Sequence, residues 1–348
     1  MPASLLRPTP RSIHGAQPLD RGTPPEEAAL RLQQGGRWVV ADRYATGLAV
    51  LARLEALLPA PGPRAGYPER RAHRQAFGRA AEGLLAPVEG GRVVLEGAPR
   101  IGFLRELYPD QASFALPIHE LERLRRAWAA FQEGVHLAVL GYRVHPFWGT
   151  YVPARTAHLE LFGTWLSLHG GPRGRAIDVG TGCGVLALML AKAGFSPVLA
   201  TDTNPNAVES VRRQLERMSP APPIRPRHVD LLGDDPSPAD LIVFNPPWTQ
   251  GEAEGPLDGA LLFEPGLFER FFDQAWARLA PDGRIALLFS NLMELVQPEL
   301  PHPIRAELAR GRFREVQTLR RKIKPTPGPD GHRRVTRERV EVWELART

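Results

Sequence analysis

The sequence predicts an α/β fold: a mostly parallel sheet that ends in an antiparallel hairpin, preceded by a mainly helical N-terminal domain. Three observations predict it. From about residue 156 onward, short apolar runs alternate with helix-length segments. Glycines or polar residues stand at the end of successive runs, the position at which open α/β sheets bind ligands. Two final apolar runs, 313–323 and 335–345, flank a Pro/Gly-rich stretch at 325–331, as in a hairpin.

The elements follow in order. Helix 156–168 precedes an apolar strand over 175–179, and Gly180-Thr181-Gly182-Cys183-Gly184 turns that strand into a helix over 184–193. Glycine lets the backbone turn tightly and approach a ligand closely. A helix N-terminus adds free N–H groups and a positive dipole end. The spacing is G-x-G-x-G, with Val185 where a dinucleotide fingerprint places its third glycine. Asp178 would oppose a bound pyrophosphate and favour a cationic ligand or one rich in donors. A strand–helix turn without a ligand is the plain alternative.

Strand 197–201 closes on Asp202, 24 residues after Asp178. At that spacing a carboxylate can take both hydroxyls of a ribose; an N-cap or turn acid is the alternative. Helix 205–217 and a short strand at 226–229 lead to Asp230, placed to accept from an adenine amino group or to sit in a solvated loop. Strand 240–244 runs into Asn245-Pro246-Pro247-Trp248. The prolines end the strand, because each lacks an N–H and has a fixed φ. An amide and a flat ring therefore stand at the strand's carboxyl end. Helix 265–279, the Pro281-Asp282-Gly283 turn and strand 284–289 precede the hairpin.

This ordered set resembles the class I S-adenosylmethionine-dependent methyltransferases, and within them the amino-methylating enzymes with an (Asn/Asp)-Pro-Pro-aromatic motif. The resemblance covers residues 144–348. It implies a Rossmann-like seven-stranded sheet and S-adenosyl-L-methionine as cofactor. The cofactor contacts it implies are Asp178, Gly180, Thr181, Gly182, Gly184, Asp202, Asp230 and Asn245. The segment Val144 to Thr156, with Pro153-Ala154-Arg155-Thr156, looks like the one before the glycine loop in HemK-like glutamine N5-methyltransferases. That likeness implies a protein glutamine amide as acceptor, held by Asn245, Pro246, Pro247, Trp248, Arg155 and Thr156.

In this reading Asn245 and the Pro246 carbonyl accept hydrogen bonds from the NH2, and Trp248 stacks on it. The chain departs from the HemK-like Pro-Arg-Pro-(Glu/Asp)-Thr-Glu stretch by one residue and an acid, and Trp248 replaces the usual Tyr. Related enzymes methylate exocyclic amines of RNA bases, and a small-molecule acceptor is a third option.

The N-terminal half carries no chemical motif. Residues 1–25 are Pro-rich and expected to be an unpaired tail, with a transit peptide as the alternative. Leu48, Leu51, Leu54, Leu57 and Leu58 form an apolar stripe on a helix from Tyr44 to Leu58, expected to face the core. Helices over 69–85 and 118–131 and short strands at 92–95 and 135–140 follow. The domain boundary is expected at 140–145, which makes 26–143 a helical substrate-recognition domain.

Net charge is +6 and the pI is about 9.9, which permits an acidic partner such as RNA. Lysine occurs only at 192, 322 and 324, so the basicity is arginine and equally fits a GC-rich genome. Arg320, Arg321, Lys322, Lys324, Arg333, Arg334 and Arg337 surround the hairpin, either as protection of an edge strand or as a nucleic-acid contact. A single cysteine excludes an internal disulfide and Cys-rich zinc sites. The ten histidines show no metal spacing. The sequence thus predicts a macromolecular substrate, protein or RNA, with no metal, no membrane span and a cytoplasmic location.

Overall fold

The computed structural model describes residues 4–62, 67–153, 155–251, 262–323 and 337–348. They form two units, Arg7–Ala130 and Phe131–Thr348, the latter joined by residues 4–6.

The first unit contains β1 (Gln17–Leu19), α1 (Pro25–Gln33), β2 (Trp38–Val40), α2 (Tyr44–Leu57), α3 (Tyr67–Ala81), β3 (Leu84–Glu89), β4 (Arg92–Val93), α4 (Phe103–Leu107), β5 (Ser113–Pro117) and most of α5 (Ile118–Glu133). Helices hold most of its ordered residues. They accompany a five-stranded sheet, β1-β2-β3-β4 with β5 beside β3, that the sequence pattern did not reveal. Strands of two or three residues are too short to display a period of two. The tail expectation is corrected too. Gln17–Leu19 runs parallel to Trp38–Val40, and the Arg11 N–H donates to the Ala115 carbonyl. In α2 the buried face is Tyr44, Gly47, Val50, Leu51 and Leu54, whereas Leu48 is exposed.

The second unit opens with a hairpin, β6 (Val135–Leu137) and β7 (Tyr142–Val144). Leu137, Leu140 and Val144 are buried in one apolar cluster with Leu159, Phe162 and Trp165. Shared burial explains why the boundary falls after residue 130 and not at 140–145. Then come α6 (Ala157–Leu168), β8 (Ala176–Val179), α7 (Val185–Lys192), β9 (Val198–Asp202), α8 (Pro205–Glu216), β10 (Ile224–His228) and β11 (Ala239–Phe244). The chain continues through β12 (Thr249–Gln250), β13 (Leu262–Phe263), α9 (Leu267–Arg278), β14 (Leu279–Ser290), α10 (Leu292–Val296), α11 (Pro303–Ala309), β15 (Phe313–Lys322) and β16 (Arg339–Arg347).

Its main sheet has seven strands in the order β10-β9-β8-β11-β14-β16-β15. The first five are parallel, and β16 is antiparallel to both neighbours, as the sequence predicts. From β8 the chain winds outward to β10, then returns to the other side of β8 with β11. The loops leaving β8 and β11 therefore diverge and leave a crevice at their carboxyl ends.

One side of the core is aromatic: Phe244, Phe268, Phe271, Phe272, Phe289 and Phe313 cluster around α9. Phe271 is fully buried, with its ring 4.8 Å from that of Phe244, the last residue of β11. The hairpin is tied to α6 by the buried Glu344 carboxylate, which accepts from Trp165 Nε1 at 2.9 Å and from Gln317 Nε2 at 2.7 Å.

Much of the hairpin's positive charge is spent internally. Arg320 and Arg339 pair with Glu341, and Arg321 pairs with Glu160. Lys324, Arg333, Arg334 and the 325–331 stretch lie outside the described residues. No helix among the described residues is long and apolar enough to cross a membrane.

Phe271→Ala is expected to cost about 3–5 kcal/mol, because the closely packed ring would leave a cavity. Urea titration of the full chain measures the loss.

Candidate active site

A cavity of about 680 Å3 occupies the crevice at the carboxyl ends of β8, β9 and β11. That volume is within the usual range for sites that take a cofactor-sized ligand, about 300–1,000 Å3. The glycine loop forms one wall. Gly180, Gly182 and Gly184 have φ of +65°, +54° and +84°, where a side chain would be strained. A Cβ on Gly184 would also stand 3.0 Å from Val211.

Asp202 anchors that loop. Its Oδ2 accepts from the Gly182 N–H at 2.9 Å and its Oδ1 from the Asn204 N–H at 2.8 Å. One carboxylate thus joins the loop to the start of α8. Each of its oxygens has a further lone pair for a hydroxyl. Burial raises its pKa, against the pull of those backbone donors. Asp230 lines the cavity on an exposed turn, 3.8 Å from Arg270, which in turn bonds Glu264 at 2.9 Å. The next residue, Leu231, has φ +48°. A non-glycine residue in that region is uncommon, and such strain clusters at functional sites.

Asn245 and Pro247 line the opposite wall. The Asn245 Oδ1 is buried and has no hydrogen-bond partner. An unsatisfied buried acceptor costs about 1–3 kcal/mol. This oxygen can accept from a donor in the cavity that the loop and Asp202 also line.

Of the predicted site residues, Gly180, Thr181, Gly182, Asp202, Asp230, Asn245 and Pro247 come together around the cavity. Asp178, Gly184, Pro246, Trp248, Arg155 and Thr156 lie outside its lining. Asp178 is fully buried and organises the loop: its Oδ2 accepts from Thr181 Oγ1 at 2.7 Å and from the Ala187 N–H at 3.0 Å. Burial pushes its pKa up to about 7. Gly184 caps α7, and Pro246 is buried.

Trp248 is half-buried and packs against the core. Its indole N–H donates to the Leu288 carbonyl at 3.3 Å, and its ring meets His158 edge-to-face at 5.5 Å. His158 is itself buried with both ring nitrogens unpartnered, and burial lowers its pKa to about 4. Arg155 is exposed and pairs with Glu338, and Thr156 Oγ1 donates to Glu160 at 2.9 Å.

Several lining residues were not singled out from the sequence. Tyr151 and Pro153 come from the segment before the loop, whose pattern pointed to its neighbours Arg155 and Thr156. Asn204 and Ala207 follow Asp202, and Asn204 caps α8 by accepting from the Asn206 N–H. Phe263, Glu264, Pro265 and Arg270 surround the start of α9, where no motif marks them. Cys183 also lines the cavity, with its thiol pushed up to about 12 by burial; a neutral thiol there acts as a small space-filling group.

Comparison with known proteins finds likenesses to methyltransferases. Residues 161–309 match the family described as "Methyltransferase small domain". That stretch is similar to a methyltransferase domain and covers less than half of the chain. The chain is 36% identical over 123 residues to the ribosomal protein L11 methyltransferase of Symbiobacterium thermophilum, covering 34% of this chain and 38% of that protein. It is 31% identical over 122 residues to the enzyme of the same description from Geobacillus kaustophilus, covering 30% and 39%. The chain thus spans less than two fifths of the length of these curated relatives. Among solved structures, a ribosomal protein L11 methylase from Lactobacillus delbrueckii is similar at a TM-score of 0.40 and 20% identity, covering 57% of this chain and 81% of that one.

The raised pKa of Asp178 has a consequence for stability. Between about pH 4, the range of a free aspartate, and about pH 7 the folded chain holds a proton that the unfolded chain has lost. Folding stability from this group therefore falls as pH rises through that window and levels off above it. Asp178→Asn is expected to gain on the parent chain across the window, by on the order of 4 kcal/mol. Thermal unfolding of both proteins from pH 4 to 8 measures the difference.

Proposed function

We propose that the chain transfers the methyl group of S-adenosyl-L-methionine to a planar NH2, and that the acceptor is the side-chain amide of a glutamine in a protein. The observation that carries this reading is the buried, unpartnered Oδ1 of Asn245 in the cavity wall. The cofactor, when bound, supplies a methyl group already activated by its sulfonium charge.

The chain's own residues fit that cofactor. Gly180, Thr181 and Gly182 provide a wall that backbone can approach closely, Asp202 has lone pairs for ribose hydroxyls, and Asp230 stands where an adenine amino group can donate. An amide nitrogen is a poor nucleophile because its lone pair is delocalised. Asn245 Oδ1 accepts from the NH2 and turns the lone pair toward the methyl carbon, so the gain lies in orientation at near-attack distance. With the cofactor bound, the N–C bond would form as the methyl–sulfur bond breaks and leaves a thioether, and the excess proton would then pass to water, so no general base has to be positioned for the attack.

A side-chain amide is favoured over a nucleobase by Trp248. Its ring is engaged with His158 and Leu288 and does not line the cavity. Trp248 therefore offers a base no aromatic platform, a contact worth about 1–3 kcal/mol; the rings that line the cavity are Tyr151, Phe244 and Phe263. A neutral Asn also suits a neutral amide in a dry pocket, since a buried carboxylate is costly.

Incubation of the full chain with methyl-labelled cofactor and cell lysate is expected to place label in protein, insensitive to RNase. Label removed by RNase would move the acceptor to RNA, and label in the low-mass fraction would make it a small molecule. Asn245→Ala is expected to lower transfer at least 100-fold while cofactor affinity by calorimetry stays within twofold. Unimpaired turnover by that variant would sink the mechanism. Asp202→Ala is expected to weaken cofactor binding at least tenfold; unchanged affinity would remove Asp202 from the ribose role.

A further inference from the structure

A second, smaller cavity of about 160 Å3 lies beside the first. The two share Phe263, Pro265 and Leu267 in their walls. The rest of the smaller lining is largely apolar, with Phe268, Phe272 and Met293 prominent. Its size decides what it can hold. Sites for cofactor-sized ligands begin near 300 Å3, so this one is too small for a nucleoside. It is nevertheless several times larger than a water's share of liquid volume, about 30 Å3, and it opens to the surface between the exposed Pro265, Glu269 and Ala306. One aliphatic side chain fits that range.

The wall nearest the Asn-Pro-Pro-Trp motif is fixed by a two-point clamp. Gln297 Oε1 accepts from the Gln250 N–H at 2.9 Å, and Gln297 Nε2 donates to the Gln250 carbonyl at 2.9 Å. A side-chain amide here supplies the pairing that a neighbouring strand would give β12. Gln250, two residues after Trp248, lines the small cavity. The clamp thus holds the cavity in fixed relation to the motif.

Charge at its edge selects the kind of partner. Glu269, Glu307 and Arg310 line it, and Arg310 lies 3.2 Å from Glu307 and 4.0 Å from Glu269. Arg312 also bonds both oxygens of Glu307, which leaves Glu269 as the acid beside Arg310 and no net positive charge to hold a phosphate, so the lining admits a neutral peptide.

We infer that this cavity is a subsite for an aliphatic side chain that flanks the methylated amide in a protein substrate. The identity of that substrate rests on the function proposed above, whereas the binding of an aliphatic group can be measured without any methyl transfer.

The chain has four methionines, Met1, Met189, Met218 and Met293, so spectra of 13C-methyl-methionine protein carry few signals. Titration of the full chain with N-acetyl-leucine-N-methylamide is expected to shift the Met293 signal along a saturating curve and to leave Met189 and Met218 in place. The aspartate analogue of the probe is expected to move none of them. Ala306→Phe, which fills the cavity, is expected to abolish the Met293 response, with Met189 and Met218 unchanged as a check on folding. Ala306→Met is a milder filling variant should the larger ring disturb the fold.

A Met293 signal that stays fixed, or that keeps responding in a folded filled variant, overturns the subsite. So does an equal shift of all signals. If labelling instead fails to reach protein while Met293 responds, the proposed acceptor fails and the aliphatic subsite stands.

Discussion

The candidate site depends on the reversal of strand order between β8 and β11. A parallel strand presents its carboxyl end to the same edge of the sheet as its neighbours, so residues far apart in sequence converge there. The reversal then parts the loops and keeps that edge open. Gly180 follows β8, Asp202 ends β9 and Asn245 follows β11, and all three line one cavity. Asp202 strengthens the arrangement through its bonds to the Gly182 and Asn204 N–H groups, which tie the glycine loop to α8. Phe244 and Phe271 pack beneath β11's end and support the opposite wall.

Within that frame, a place in the cavity lining separates residues poised for a ligand from structural ones. Asp178 is a fully buried acid and Asp202 a half-buried one, both near strand ends, yet only Asp202 lines the cavity. Asp178 spends its Oδ2 on Thr181 and the first turns of α7. The Asp178 Oδ1 is buried without a partner, as is the Asn245 Oδ1, but of the two residues Asn245 alone lines the cavity. The unmet cost of about 1–3 kcal/mol returns when an NH2 donates to it. His158 carries a similar cost on two nitrogens, but beside Trp248 and outside the cavity lining.

The sheet was legible in the sequence because its strands are apolar runs bounded by glycine, proline or acid. The run 240–244 matches β11, and Asp202 and Asn245 stand where their motifs predict. The five-stranded sheet of the first unit was not legible, since its shorter strands show no period. Side-chain direction was equally hidden. Nothing in Asn245-Pro246-Pro247-Trp248 reveals that the ring turns to Leu288 and His158 and not to the cavity. The cavity wall from Phe263 to Arg270 is built by residues of ordinary composition, brought to the site only by the fold.

The chemical form of the transferred methyl group tests the central claim, that Asn245 holds a side-chain amide, most directly. Protein labelled by the full chain from methyl-labelled cofactor would be freed of RNA and hydrolysed in acid. Hydrolysis of an N-methyl amide yields the free carboxylic acid and methylamine. The account predicts that the label distils as methylamine once the hydrolysate is made alkaline. Label retained in a non-volatile methylated amino acid, or recovered with nucleosides in the RNA fraction, would contradict it.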